Sequence, residues 1–484
     1  MEQFLQLIQK PSPALYFLEN KHTLSPIERQ HFHDWLLDRA ECCEVVDIRA
    51  MAYCRMNGAV HTPPLSVLTF IELPTSVPQQ NEIQKISALC RDRNQHVFLV
   101  GGCVRDRMLG KDFVDIDCCL EADPVAFVDA LMQKHGGHCD TAARFGAVHW
   151  HSSAQKTIDF TQTRQEIYPQ KGQLPQVKPA SIDIDLRRRD FTINAMAIPL
   201  HPEKKGLLLD PFQGLSDLQS KRLRILHPLS FWDDPTRIFR GSRYAARYGL
   251  RCSRMTARAL SFTLEEIQLG VDISWQRIGQ ELSLILLEKH PLQAFQKLEE
   301  WGVLRKWFPA WSNILPVFSK IQEDYPYDST IEKYQIYWIA LSLPLSAEER
   351  KYMLGMVSQR PVIRKLWIET ALIMERLLRR KKSLHSWGEF GEVVQNASRE
   401  QIVALSLFFP ELQSYFDWWQ KEGHHIVCAV SGNDLLQLGC PKGPLVGRSL
   451  AAARRAAWNG LGPDAQRQEA QKVWLLHPEN DNSR

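Results

Sequence analysis

The chain has 484 residues, 44% of them hydrophobic and 24% charged, with a formal net charge of +4. That length exceeds one ordinary domain, and about three units are expected. The composition excludes a disordered or fibrous chain, and the mild charge means that any polyanion-binding face must be local.

Residues 1–80 read as an N-terminal extension of unknown role. Within it, "SPIERQHFHDWLLDRAE" predicts a helix with Ser25 as cap and Pro26 at the first position. "VVDIRAMAY" and "LSVLTFIELP" predict strands, and "PTSVPQQ" (74–80) a linker. Residues 81–200 alternate strand and helix. "NEIQKISALCRDRN" is helical, "HVFLVGG" a strand ending in a glycine turn, "CVRDRMLG" a short helix and "DFVDIDCCLE" a strand. "DPVAFVDALMQKHGG" is a helix capped by Asp123 and stopped at Gly136-Gly137. "GAVHWHS" and "KTIDFTQT" predict a hairpin, and 164–181 a Pro/Gly-rich flexible loop. Beyond about 205 the pattern is almost wholly helical, with Trp and Leu on the inner faces. It divides into a neck (201–285), a body (286–400) and a tail (401–484). "ERLLRRKKS" (375–383) reads as a solvated helix end, and the segment from Ser431 as two short helices joined by a Gly/Pro turn, the second basic. The expected fold class is α+β: a small mixed-sheet head followed by a long all-α remainder.

The eleven cysteines form no CxxC pair, and Cys42-Cys43 and Cys118-Cys119 are adjacent, which suits neither zinc nor a disulfide. They read as small buried hydrophobes in a reducing, cytoplasmic setting. The start has no basic n-region followed by a long apolar core, so no signal peptide is expected. No apolar run approaches the ~18 residues that span a bilayer, so no membrane partner is expected.

The chemistry concentrates in "GGCVRDRMLGKDFVDID". Asp115 and Asp117, at i and i+2 of a predicted strand, point to one face. Two like charges there are costly unless neutralised. A divalent cation does so, and hard oxygen donors select Mg²⁺ or Mn²⁺. Two such ions ~3.5–4 Å apart would clamp the attacking and leaving oxygens of a phosphoryl transfer. Gly101 and Gly102 let backbone approach a triphosphate, the following helix start favours anions, and Arg105 is a candidate phosphate contact.

The ordered set of motifs resembles the class II nucleotidyltransferases: the tRNA CCA-adding enzymes and bacterial poly(A) polymerases. "DLRRRDFTINAMAI" (185–198) resembles their ribose- and phosphate-reading segment, "FWDDPTRIFRGSRYAARYGL" (231–250) their base-selecting segment, and "ISWQRIGQEL" (273–282) their neck helix. The likeness covers about residues 83–300.

The resemblance implies a polymerase-β-like head. Asp115 and Asp117 would be catalytic and hold two Mg²⁺ ions, and Asp159 would be either a third carboxylate or a group that steers an arginine. Gly101, Gly102, Arg105, Arg188, Arg189, Asp190, Asn194, Asp234, Arg237, Arg240 and Arg243 would bind ATP or CTP. Asp234 and Arg237, three apart, would share a helix face and imitate a pairing partner for C or A. Asp233 stands where the family usually has Glu. Arg237, Arg240, Arg243, Arg247 and Arg251 fall on one helical stripe, and residues 221–255 hold nine Lys/Arg against two Asp, which suits triphosphate and RNA backbone. The implied function is template-independent completion of the tRNA 3′ end, either full CCA or terminal A only. The helical remainder would grip the acceptor and TΨC arms. CC addition, poly(A) synthesis and a non-catalytic tRNA-binding role are the alternatives.

Overall fold

The computed structural model describes residues 2–20, 24–57, 59, 70–72, 81–111, 115–142, 147–168, 170–204, 206–325 and 333–475. The linker expected at 74–80 and most of the strand expected over 65–74 lie outside them. The chain divides into two compact units, Met1–Glu281 with Gln293–Trp307, and Leu282–Leu292 with Phe308–Arg484. Extension, head and most of the neck therefore share the first unit.

The extension folds as α1 (Glu2–Ile8), α2 (Pro13–Glu19), α3 (Pro26–Leu37) and α4 (Val45–Met56). Ser25 caps α3 as expected, its Oγ accepting from the Glu28 N–H at 3.3 Å. The strand expected at "VVDIRAMAY" is instead α4. Its paired valines mimic a strand, but the Glu44 N–H donates to Asp47 at 2.7 Å, fixing a helical first turn, and the buried Ile48, Met51 and Ala52 recur at helical spacing. Phe17 packs on Phe32 and Tyr53, with ring centroids 5.0 and 5.6 Å away. The short strand β1 (Phe70–Glu72) then joins the edge of the head sheet.

The head continues with α5 (Asn81–Arg93), β2 (Val97–Val100), α6 (Gly102–Met108), β3 (Ile116–Leu120), α7 (Pro124–His135), β4 (His138–Ala142), β5 (Ala147–His151), β6 (Thr157–Gln162), β7 (Arg164–Ile167), β8 (Gln176–Pro179), α8 (Ile182–Arg187), β9 (Ala197–Pro199) and β10 (Leu207–Leu209). One eight-stranded sheet runs β1-β10-β9-β2-β3-β6-β5-β4. β3 and β6 are parallel and the other pairings antiparallel. The period-2 rule assigns its faces. Ile116, Cys118 and Leu120 of β3 enter one core with Ile86 and Leu131 of the flanking helices. Cys119 enters a second core, with Ile182 and Leu186 of α8. Asp117, of the same parity as Cys119, lies at the mouth of that second face. The segment 164–181, expected as a loop, is instead a hairpin: β7 and β8 pair antiparallel from Arg164↔Pro179 to Ile167↔Gln176.

The neck supplies α9 (Gly214–Gln219), β11 (Arg222–Leu223), α10 (Ser230–Asp233), α11 (Thr236–Tyr248), β12 (Arg251–Cys252), α12 (Arg254–Glu266) and α13 (Trp275–Leu286). The second unit is helical around the fully buried Trp311, Trp338 and Trp367. The basic run 375–383 closes the helix Pro361–Arg380. From Ser431 the tail has the two expected helices, Gly432–Gln437 and Pro444–Trp458, and a third, Pro463–Leu475. No helix among the described residues is long and apolar enough to cross a membrane.

Candidate active site

Where β2 ends, Gly101 turns the chain into α6 with φ 71°, a left-handed conformation that glycine adopts without strain. A Cβ there would stand 3.3 Å from Arg189 Nη1 and 3.9 Å from Asp117 Oδ2. The glycine thus brings backbone, an arginine fork and a carboxylate together. Asp115 immediately precedes β3 rather than lying in it, and it is exposed; Asp117 is the second residue of the strand. Both line a cavity of ≈ 700 Å³. Burial pushes the Asp117 carboxyl above its ordinary range; Asp159 and Asp115 add to the rise, and Arg189 opposes it.

Asp159 sits opposite Asp117 in the parallel β3–β6 register. Its Oδ1 meets His149 Nδ1 at 2.6 Å across the next strand pair. Among the described residues, no group of three or more His, Cys, Asp and Glu side chains is gathered as a metal site.

The cavity wall is a lattice of arginines held from behind by carboxylates. The fully buried Asp185 accepts from Arg188 Nε and Nη2 at 2.9 and 2.7 Å, from Arg189 Nη2 at 2.9 Å, and from the Arg164 N–H at 3.1 Å. Glu166 of β7 takes Arg188 Nη1 at 3.0 Å and Arg164 Nη2 at 3.0 Å. Asp190 accepts from Asn194 Nδ2 at 2.9 Å and Arg240 Nε at 2.8 Å. Burial works against the Asp190 charge, but Arg240 and Asn194 hold its carboxyl below the usual range. Arg105 Nη1 donates to Asn194 Oδ1 at 2.6 Å and its Nε to Asp106 at 3.1 Å, while its guanidinium lies over Tyr248. It faces the cavity, but already partnered.

Asp234 and Arg237 do not share a helix face. Asp234 stands at the kink between α10 and α11, in extended backbone, and accepts from the Thr236 N–H at 3.1 Å and Thr236 Oγ1 at 2.6 Å. Arg277 Nη2 reaches the same oxygen at 2.7 Å. Arg237, in the first turn of α11, donates to Ser230 Oγ at 2.7 Å, the Arg188 carbonyl at 2.8 Å and the Tyr168 hydroxyl at 3.3 Å. Arg240, Arg243 and Arg247 follow along α11 into the cavity. Arg251 does not: Gly249, at φ 66°, ends the helix, and Arg251 lies in β12.

Residues 97–224 match the Poly A polymerase head domain. The A-adding tRNA nucleotidyltransferase of Geobacter sulfurreducens is 31% identical over 75% of this chain and 43% of its own length. That of Halalkalibacterium halodurans is 37% identical over 46% of this chain and 52% of its own. The chain thus spans about half the length of these curated relatives. A CCA-adding enzyme solved in an apo form has a TM-score of 0.69 at 26% identity, over 85% of this chain and 100% of the other.

The chain is thus similar to the class II tRNA nucleotidyltransferases. All thirteen residues singled out as catalytic or nucleotide-binding from the sequence line the one cavity, from Gly101 to Arg243. Asp159 does not. Arg164, Glu166, Tyr168, Arg277 and Glu281 also line it and were not foreseen. Two of these carried a signal: Arg277 and Glu281 lie four apart in the neck-helix motif, hence on one face. Asp185, which holds the arginines from behind, carried one too, since it precedes Arg188 and Arg189 by three and four residues. Glu166 and Tyr168 carried none, because the hairpin that presents them reads as loop.

Proposed function

We propose that this protein is a template-independent nucleotidyltransferase that completes the 3′ end of tRNA, with addition of the terminal A as the favoured reading. One observation carries it. A single cavity joins a strand-end carboxylate pair to an arginine-rich wall and to an Asp/Arg pair suited to reading a base edge. The relatives named A-adding support the finer reading.

The donor set fits magnesium: two carboxylates at the mouth of a sheet, one of them raised by burial and by like charge, with substrate phosphates to complete the shell. Asp115 and Asp117 would hold it. Bound there, magnesium supplies positive charge for the triphosphate and acidifies the attacking hydroxyl.

The chain's own residues do the rest. Arg188, Arg189, Arg240 and Arg243 offer forks to the triphosphate, pre-set by Asp185, Glu166 and Asp190. Asp190 and Asn194 offer acceptors and donors to the ribose. The Asp234 carboxylate accepts from the exocyclic amine of adenine or cytosine, and Arg237 donates to the neighbouring ring nitrogen or carbonyl. Uracil and guanine present the opposite pattern. Since Arg237 already holds the Tyr168 hydroxyl at 3.3 Å, that hydroxyl yields its place when a base enters. Catalysis is positioning and charge stabilisation, with no covalent enzyme intermediate. The second unit grips the acceptor and TΨC arms through phosphates and shape. Eleven free cysteines, seven of them buried, suit a reducing cytoplasm.

The test supplies tRNA ending at the discriminator base, at C and at CC, with labelled CTP or ATP. Terminal-A addition extends only the CC-ended substrate, by one nucleotide, from ATP. Extension from the discriminator base means full CCA or CC addition, a long run of A means poly(A) synthesis, and no extension refutes the proposal.

A further inference from the structure

The N-terminal extension reaches the base-selecting segment from behind. Helix α4 packs against α12 and carries Arg55, whose Nη2 lies 3.1 Å from Asp233 Oδ1. This ion pair is almost sealed, with side-chain exposures of 8% and 2%. Its neighbours on the rim are more open: Arg49 with Glu265, Arg224 with Glu41, and Arg258 with Glu44 and the Cys43 carbonyl. Those exposed contacts hold little energy, whereas a buried pair is strongly directional and costly to break.

Asp233 does not face the cavity, although its neighbours Asp234 and Arg237 do. It is the last residue of α10, a four-residue helix whose first residue, Ser230, anchors Arg237 Nη1 at 2.7 Å. The carbonyl of Trp232 in the same helix accepts from the Gly172 N–H, in the hairpin turn, at 3.2 Å. One short helix therefore links the extension, the hairpin and the base-reading arginine. Four residues cannot hold their own position by helix propensity. Something must fix α10, and Arg55 does so from one side, with His227 Nε2 at 3.7 Å on the other carboxylate oxygen. His33 lies beside the pair, but burial pushes its imidazole down, so it supplies no charge at neutral pH.

We propose that Arg55 is a positioning residue for base selection: through Asp233 and α10 it sets the orientation of Arg237, which gives the N-terminal extension a role in nucleotide specificity. This rests on the reading of Asp234 and Arg237 as the base-reading pair. It also accounts for the aspartate at position 233, whose short side chain meets an arginine arriving from outside the head.

The test uses the full-length chain. Arg55→Met should raise the KM for the cognate nucleotide and lower discrimination against UTP and GTP by about 10-fold each, the size typical of losing a supporting contact to a functional group. It should leave kcat and tRNA affinity within about 3-fold, a split that mere loss of structure would not give. Arg55→Lys should restore discrimination. If Arg55→Met does not fold, Arg55→Gln, which keeps a donor without the charge, carries the same measurement. A folded variant with unchanged KM and unchanged base choice overturns the proposal. Arg237→Ala is the control on the underlying reading. If it leaves base choice intact, that reading fails; if it blurs base choice while Arg55→Met does not, only the positioning role fails.

Discussion

Replacing Asp185 by alanine removes the buried acceptor behind two cavity arginines. It deletes three charge-assisted hydrogen bonds, two from Arg188 and one from Arg189, and a fourth from the Arg164 backbone. Breaking a buried ion pair from one side costs about 3–5 kcal/mol. Arg188 keeps Glu166 at 3.0 Å, and the two guanidinium groups are 18% and 15% exposed, so water recovers part of the loss. The expected cost is therefore about 3 kcal/mol, a fall of about 6 °C in Tm at roughly 2 °C per kcal/mol for a unit of this size. The forks also lose their aim, and about 100-fold in kcat/KM for nucleotide should follow. The pH dependence gives a second readout. Burial disfavours the Asp185 charge, but Arg189 and Arg188 outweigh it and hold its pKa below the ordinary value. The stability it contributes is thus fully present above about pH 4 and is lost as pH falls through the lowered pKa. Thermal melts from pH 6 down to pH 3 should show the wild type losing its advantage over Asp185→Asn. A variant that melts within about 1 °C of wild type and keeps its nucleotide KM would refute the idea that this carboxylate sets the arginine forks.

Magnesium should raise the Tm of the wild type and leave that of Asp117→Asn unchanged, since a ligand stabilises only the state that binds it; the same variant should lose incorporation while still retaining tRNA in a filter-binding assay. Gly101→Ala should cost about 1–2 kcal/mol from its left-handed backbone alone, and its Cβ, 3.3 Å from Arg189 Nη1, should also depress turnover, measured as single-nucleotide extension. Arg237→Ala should blur the choice of C and A against U and G in competition assays, with unchanged selection ruling out the pairing role.

Much of the site was legible because its chemistry is local in sequence. The Gly-Gly turn, the Asp-x-Asp step and the arginines of α11 each carry spacing that fixes a face, and the topology only had to bring those faces together. Arg251 failed because a glycine two residues earlier ends the helix, so angular periodicity stopped applying. Asp234 failed as a helix-face partner because it lies in extended backbone two residues before α11 begins at Thr236, so helical spacing does not apply to it. The hairpin at 164–179 was hidden by prolines and glycines that read as loop; its pairing is set by partners nine to fifteen residues apart, which composition does not record. Arg55 and Asp233 are 178 positions apart. Nothing in either segment points to the other, and only packing of α4 on α12 joins them.

Nine arginines around one cavity would repel one another, and six cavity carboxylates limit that cost. The arrangement does more than neutralise. Asp185, Glu166 and Asp190 each grip an arginine from the protein side, so each fork is aimed before substrate arrives and little reorganisation remains to be done on binding. Asp234 and Arg237 are held in the same way, by Thr236 and Arg277 on one side and by Ser230 and the Arg188 carbonyl on the other. A template strand fixes the geometry of a pairing edge through stacking. On the proposed function the fixing here comes from side-chain hydrogen bonds, and the residues that do it lie one layer behind those assigned to the nucleotide. Specificity in such a pocket is therefore sensitive to changes well outside the cavity. A substitution behind the wall should alter base choice and nucleotide affinity before it alters the chemistry at Asp115 and Asp117.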